Sequence, residues 1–375
     1  MKIFNKSEWK KVKLEDICDI LDSRRIPISE EKRIKGKYPY YGANGIQGYI
    51  NDYIFDEELV LLAEDGGNFG SKIKPIAYKI NGKTWVNNHA HVLKAKNEII
   101  STDFLLYSLM FYDVTKLITG TTRKKLTRTG MGKITLFIPN LDMQEKITNY
   151  LQEIEKFISL RKNQLNYLKE LVKSLFTRMF GDIRTNSFNW KQVKLQDVCS
   201  SIVRGPFGSS LKKEFFVKNG YKVYEQKNAI NQSADLGKYY IDEKKFKELQ
   251  RFECKMGDII MSCSGTVGKL FQLPENSKRG IINQALCKFS LNNKIKSTYF
   301  LKYLEKVIGN MELNGSGIKN ISSVSYIKKV DINLPPIELQ NKFAERIGKI
   351  EKLKFTFDKA LISNIFGKLY KKVSA

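Results

Sequence analysis

The sequence predicts an α+β fold: two tandem mixed α/β domains, each followed by a long helix, the two helices packed as an antiparallel coiled coil. Three observations predict it. The phrase WKKVKLEDIC at residues 9–18 returns as WKQVKLQDVC at 190–199, identical at seven of ten positions. Further matches follow at a nearly constant separation along the 375 residues. Two stretches of heptad-spaced apolar residues then close the two repeats.

The first domain is expected over 1–141 and the second over 182–336. NNHAHVLK (87–94) aligns with INQALCKF (282–289), which pairs Asn88 with Asn283 and Ala90 with Ala285 at a separation of 195. GTTRKKLT (120–127) meets GSGIKNIS (315–322) at the same separation, and IPNLDMQEKI (138–147) meets LPPIELQNKF (334–343) one residue further out. Within the domains, EELVLLAEDGGNFG (57–70) and KMGDIIMSCSGTVGKLFQL (255–273) are apolar runs broken by glycine-rich turns, and both read as hairpins.

A spacer helix is expected over 142–181. Asp142 and Glu145 suggest a capping box after Pro139, and Gly181 a C-terminal stop. Its stripe runs through Ile147, Leu151, Ile154, Ile158, Leu165, Leu168, Val172, Leu175 and Met179, with Arg161 the one polar residue on the seam. From 142 to 179 it would measure about 57 Å at 1.5 Å per residue. The distal segment, over 337–375, carries Phe343, Ile347, Ile350, Phe357, Leu361 and Ile365, and its helix from about Ile337 to Tyr370 would be about 51 Å long. Stripes of matched length suit burial against each other; the competing reading packs each helix on its own domain.

A composition of 42% hydrophobic and 11% aromatic residues supplies ample core, so disorder is a poor reading. Five scattered cysteines without CxxC spacing argue for reduced thiols rather than a disulfide scaffold or zinc module. Neither a signal peptide nor a membrane-length apolar run is visible, so a soluble cytoplasmic chain is expected. The net charge of +26 favours a polyanion, most simply nucleic acid. The excess concentrates in the two domains, +7 over 1–141 and +12 over 182–336, against +2 and +5 in the helical segments.

Catalytic motifs do not materialise. CSGTVGKL fails the P-loop pattern at Cys263 and Leu270, and DGGNFG leads into SKIKPIAYKI, which is no helix start. LPPI lacks the polar and aromatic residues of an amino-methyltransferase loop. His89 and His91 would share one face of a strand, yet no partner ligand stands at a recognised spacing, which favours a structural or surface role. An E-x-K triplet at Glu225–Lys227 is a chance pattern in a lysine-rich chain.

Basic residues cluster on expected loops instead. Arg24, Arg25, Lys35 and Lys37 follow the first phrase; Arg123, Lys124, Lys125 and Arg128 form RKKLTR; Arg204, Lys212 and Lys213 bracket RGPFGSSLKK; and Lys319 lies in GSGIKN. Loop cations beside hydroxyls and backbone amides suit phosphate contacts, and arginine also reads guanine edges.

With this duplicated order of domain and helix, the segments YYGANGIQGYI (40–50), RGPFGSSLKKEFF (204–216), GDIIMSCSGTVGK (257–269) and LPPIELQNKF make the chain resemble the DNA-specificity subunit of a type I restriction-modification enzyme. The resemblance covers nearly the whole chain. It implies two target-recognition domains, each reading half of a bipartite, asymmetric site in double-stranded DNA. It further implies helices that set the spacing and bind two methyltransferase subunits, which bring S-adenosylmethionine. Restriction and translocase subunits join with ATP and magnesium, and this chain itself holds no cofactor or metal. Base-contacting residues do not transfer by motif, because recognition domains of the family vary. Two rival readings remain at this level: a stand-alone nuclease or methyltransferase with an unfamiliar site, and a basic coiled-coil scaffold.

Overall fold

The computed structural model describes residues 8–313 and 323–356. It contains two compact units, one reaching to Gln164 and the other covering Leu165–Thr356. Lys319, Phe357, Leu361 and Ile365 lie outside the described residues.

The first unit runs β1 (Lys10–Lys13), α1 (Leu14–Ile17), β2 (Cys18–Ile20), β3 (Tyr38–Gly42), β4 (Gly45–Ile50), β5 (Phe55–Asp56), β6 (Leu59–Ala63), β7 (Ala77–Ile80), β8 (Lys83–Val86), β9 (Ala90–Ala95), α2 (Thr102–Leu109), α3 (Arg128–Met131), β10 (Thr135–Ile138) and the first part of α4 (Leu141–Phe180), whose residues from Leu165 on belong to the second unit. The second runs β11 (Lys191–Lys194), β12 (Cys199–Arg204), β13 (Tyr221–Tyr224), α5 (Gln226–Ile230), β14 (Tyr240–Ile241), α6 (Glu243–Glu248), β15 (Glu253–Cys254), β16 (Ile259–Ser262), β17 (Leu270–Gln272), β18 (Gly280–Ile282), β19 (Leu286–Leu291), α7 (Ser297–Leu313), α8 (Val324–Lys328), β20 (Asp331–Leu334) and α9 (Ile337–Thr356).

The two units share one topology. Sheets ordered β2-β9-β6-β7 and β4-β3-β8-β5 in the first correspond to β12-β19-β16-β17 and β14-β13-β18-β15 in the second. Among the described residues, each unit has a single parallel pair among antiparallel ones, β3 with β8 and β13 with β18. Both expected hairpins form, as β6–β7 and β16–β17. The continuous apolar run of β6 follows from its central place, because a strand covered on both faces has no solvent side. Val60 and Leu62 join the core under α2, while Leu59 and Leu61 join a separate cluster with Phe55 and Val86. Ile259 and Met261 against Ile260 divide in the same way in the second unit.

The repeated phrase is a mount. Its strand, β1 or β11, pairs antiparallel with β10 or β20, the strand that leads into the long helix. Leu14 and Leu195 then turn into the core while Asp16 and Asp197 accept from the backbone N–H of Lys13 and Lys194. Six residues into the next repeated segment, a fully buried glutamine fastens the start of each helix. Gln144 accepts from Ser101 N–H at 3.0 Å and donates to the carbonyls of Ile99 and Pro139. Gln340 accepts from Lys296 N–H at 2.8 Å and donates to Lys294 and Pro335.

Several expectations change. The helix cap is Asn140, whose side chain accepts from Met143 N–H at 3.0 Å; Asp142 therefore sits in the first turn with Glu145 just beyond it, and the two form no capping box. Gly181 does end α4, with φ +79° and its N–H on the Thr177 carbonyl. Ile147 and Leu151, expected on a helix–helix seam, are buried in the core of their own domain with Leu136, Ile138 and Phe104. A heptad cannot by itself distinguish a domain floor from a partner helix. Ile154, Ile158, Leu165, Leu168 and Leu175 are half-buried. Val172 joins Phe343, Ile347 and Ile350 in the second unit's core, where Phe343 meets the rings of Phe176 and Phe180 at 5.6 and 5.1 Å. Those two α4 phenylalanines lie beside the expected stripe residues and bury more completely than Leu175 or Met179.

The repeat alignment also shifts by one residue. Asn87 N–H donates to the Tyr41 carbonyl and Asn283 N–H to the Tyr224 carbonyl, each at 3.0 Å, so Asn283 corresponds to Asn87 rather than Asn88. The separation is then 196, and Ala285 rather than Gln284 stands in the place of His89.

Candidate nucleic-acid interface

Four backbone segments converge at one edge of the first unit. The β3–β4 turn meets the β6–β7 loop where Asn44 Nδ2 donates to the Gly66 carbonyl at 2.9 Å and Asn68 Nδ2 to Asn44 Oδ1 at 3.0 Å. The β8–β9 turn joins them through Glu64 N–H on the His89 carbonyl. The basic loop after Gly120 closes the group, with a backbone bridge between Thr119 and Lys125 and Leu126 N–H on the Glu64 carbonyl at 2.7 Å.

Beneath this edge lies a charged network. His91 on β9 is 1% exposed; its Nδ1 lies 2.6 Å from Asp22 Oδ2 and its Nε2 2.8 Å from the Leu126 carbonyl. Arg25 contacts Glu64 at 2.6 Å, Asp22 at 3.5 Å and the Ala90 carbonyl at 2.8 Å, and Lys125 reaches the other Glu64 oxygen at 2.9 Å. Burial opposes ionisation of Asp22, but the hydrogen bond and charge of His91 hold its carboxyl below the usual range. Glu64 is likewise lowered against its burial by hydrogen bonds from Arg25 and Lys125. Asp22, Glu64 and His91 each bring a potential ligand atom within 4.8 Å of the others. Those atoms already serve two cations and a carbonyl, so the bonds describe a balanced ion network holding the basic loop. The structural role expected for His91 fits this position.

The basic residues separate into groups. Arg25 faces inward, its side chain 12% exposed and its charge used by two carboxylates, which removes it from the expected phosphate-contacting set. Arg24 is paired with Glu57 at 2.7 Å and lies over Phe55. Lys35 and Lys37 are exposed, Lys37 against the ring of Tyr38. Arg123 projects from the basic loop, 62% exposed, 2.8 Å from Asp65 and 3.3 Å from His89 Nδ1. Lys124 and Arg128 are exposed on the same loop and the helical turn after it. Lys35 and Lys37 belong to the segment before β3, so the basic loop gathers only part of the expected set. In the second unit Arg204 ends β12, its Nε on the Gln284 carbonyl at 3.3 Å and its guanidinium over Phe207. Lys212 and Lys213 are exposed, Lys212 near Glu214. The Glu225–Lys227 triplet is a local ion pair at 2.8 Å beside α5.

The profile of the family described as "Type I restriction modification DNA specificity domain" matches residues 6–170 and 188–365, one copy per repeat. The chain belongs to that family. It is the non-catalytic specificity component of type I restriction-modification systems, which agrees with the missing catalytic motifs of the sequence. A putative type I restriction enzyme specificity subunit of Haemophilus influenzae is 28% identical over 369 residues, covering 92% of this chain and 88% of that protein. A type I restriction enzyme specificity subunit of Methanocaldococcus jannaschii is 23% identical, covering 92% and 87%. The crystal structure of a type I restriction-modification S subunit from M. genitalium aligns with a TM-score of 0.59 at 15% identity, over 100% of this chain and 98% of that one. A chain from a structural study of type I assembly and conformational transition aligns at 0.53 and 14%, covering 98% of each. These likenesses show a shared two-domain, mixed α/β fold. Among the described residues of this specificity subunit, no helix is long and apolar enough to cross a membrane.

Proposed function

We propose that each recognition domain, 1–141 and 182–336, reads one half of a bipartite, asymmetric site in double-stranded DNA. The helices over 142–181 and 337–375 pack as an antiparallel coiled coil that sets the gap and docks two methyltransferase subunits. Those subunits supply S-adenosylmethionine; restriction and translocase subunits supply ATP-driven chemistry with magnesium; the complex works in the cytoplasm. The observation that carries this reading is one topology built twice on one mount, with different residues at the loop tips. A single binding surface would not need two frames that agree strand by strand.

Two features support the remaining parts. The ring contacts of Phe343 with Phe176 and Phe180 join the end of α4 to the start of α9. On α4, Tyr150, Phe157 and Leu160 in the first unit, and Tyr167 and Leu171 in the second, are at least half exposed. Apolar side chains left open at helical spacing suit a protein partner. The test is to co-express the chain with its methyltransferase subunit and map methylated adenines. A split motif that depends on this chain is expected; no new methylation from a complex that assembles on DNA would overturn the reading.

A further inference from the structure

The two units present the same small device at the same place. In the turn before β9, the Asn87 side chain accepts from His89 N–H at 2.8 Å, while its own N–H donates to the Tyr41 carbonyl at 3.0 Å. In the turn before β19, Asn283 accepts from Ala285 N–H at 3.1 Å and donates to Tyr224 at 3.0 Å. The neighbouring strand tightens both turns: Glu64 N–H donates to the His89 carbonyl at 2.9 Å, and Cys263 N–H to the Ala285 carbonyl at 2.7 Å. Each turn is thereby fixed at three points, and the residue at its tip is Asn88 in one unit and Gln284 in the other.

Both tips are exposed, and neither side-chain amide has a hydrogen-bond partner among the described residues. That sets them apart from their neighbours, since Asn44, Asn68, Asn87 and Gln226 all spend their amides inside the protein. Each tip also has an arginine tied to its own turn. Arg123 reaches the side chain of His89, and Arg204 donates to the Gln284 carbonyl. Beside Asn88 a recess of about 290 Å³ opens, lined by Arg33, Tyr40, Gln47 and His89 among others.

We propose that Asn88 and Gln284 are specificity-determining residues, each reading an adenine edge in the major groove of its own half-site. A carboxamide offers one donor and one acceptor in a plane, which matches the N7 acceptor and N6 donor of adenine. The adjoining arginine holds a phosphate and fixes register, while the neutral amide carries the sequence information. A tip whose backbone is already fixed by its turn loses only side-chain freedom on binding, so its hydrogen bonds translate into discrimination. Gln284 differs from Asn88 by one methylene, so the two halves reach a base from different depths with the same chemistry.

This inference rests on the bipartite reading, and the test separates the two. The split motif mapped for the wild-type complex defines a duplex and a panel of single-position variants. Binding of the assembled complex to that panel is compared for wild type, Asn88→Ala and Gln284→Ala. Asn88→Ala is expected to flatten preference at one adenine of one half by on the order of 10- to 100-fold, and Gln284→Ala at one adenine of the other half. Preference at all other positions and the salt dependence should be retained. An unchanged panel, or a loss spread evenly over every position, would overturn the assignment of these residues while the bipartite reading stood. A wild-type complex with no split motif would remove both.

Discussion

Replacing Arg123 and Lys125 together by alanine should weaken DNA binding on every sequence and flatten its salt dependence. Arg123 is 62% exposed and Lys125 46%, each held by one carboxylate, at 2.8 Å to Asp65 and 2.9 Å to Glu64. The loop backbone is held independently, by His91 on the Leu126 carbonyl and by Leu126 N–H on Glu64, so the variant keeps its scaffold. If each cation neutralises one phosphate, the log–log salt slope falls by about 1.8 in magnitude, so between about 50 and 200 mM salt the variant loses roughly 12-fold less affinity than wild type. Arg25→Ala provides the contrast. Its guanidinium is buried between Asp22 and Glu64, so removal takes the shared cation from two buried carboxylates, leaving His91 on one and Lys125 on the other, and should cost on the order of 3 kcal/mol in stability while leaving the slope of the folded protein unchanged. Fluorescence anisotropy over a salt series, with a denaturant melt of each variant, measures both quantities. An unchanged slope in the double variant, or a slope lowered equally by Arg25→Ala, would refute the assignment of outer and inner cations.

Three further outcomes follow from the same geometry. Gln340→Leu leaves Lys296 N–H and the Lys294 and Pro335 carbonyls without their partner and should destabilise the second unit by about 3 kcal/mol in a urea melt, with Gln144→Leu acting likewise on the first. The Asp22 and Glu64 carboxyls sit below their ordinary values of 3.8 and 4.5, so their contribution to stability is complete above those values and is lost as pH falls through the lowered ones; acid melts should show a shallower loss in Glu64→Gln than in wild type. Removing one heptad from each long helix should shorten the gap of the methylated motif by about three base pairs, since seven residues span roughly 10 Å.

Much of the frame was legible because it rests on local, repeated signals. The phrase beginning at Trp9 and Trp190, the apolar run of β6 and the glycine that ends α4 each announce themselves within a few residues. The network of Asp22, Glu64 and His91 was not legible, since its members are brought together by β2, β6 and β9 from positions up to 69 residues apart. Its neutralising effect explains why Arg25, which looks in sequence like its neighbour Arg24, faces inward. The one-residue error in the repeat has a comparable origin. Pairing Asn88 and Ala90 with Asn283 and Ala285 favours a separation of 195, whereas strand register and the Asn87 turn bonds place Asn283 opposite Asn87. Asn88 and Gln284 carried no signal until that register brought them to the same tip.

The correspondence also shows how one frame carries two readers. In strand register, His91 and Cys287 occupy one place, opposite Leu62 and Met261. Glu64 and Cys263 match through the same backbone bond to the β9 or β19 turn, and Asp22 corresponds to Arg204, which pairs with Cys287. An acidic pair around a histidine in the first unit is thus replaced by an arginine beside two buried thiols in the second. The neighbouring Cys287 side chain, with Arg204 nearby, lowers the Cys263 thiol against its burial. Inverting the charge beneath the loops changes which cations they can hold: carboxylates anchor Arg123 and Lys125 in the first unit, whereas in the second the arginine itself braces the turn. The strands and the mount need only backbone bonds and apolar faces, which tolerate this exchange. The difference is therefore confined to the edge where the tips stand, which is where two halves of an asymmetric site would demand it.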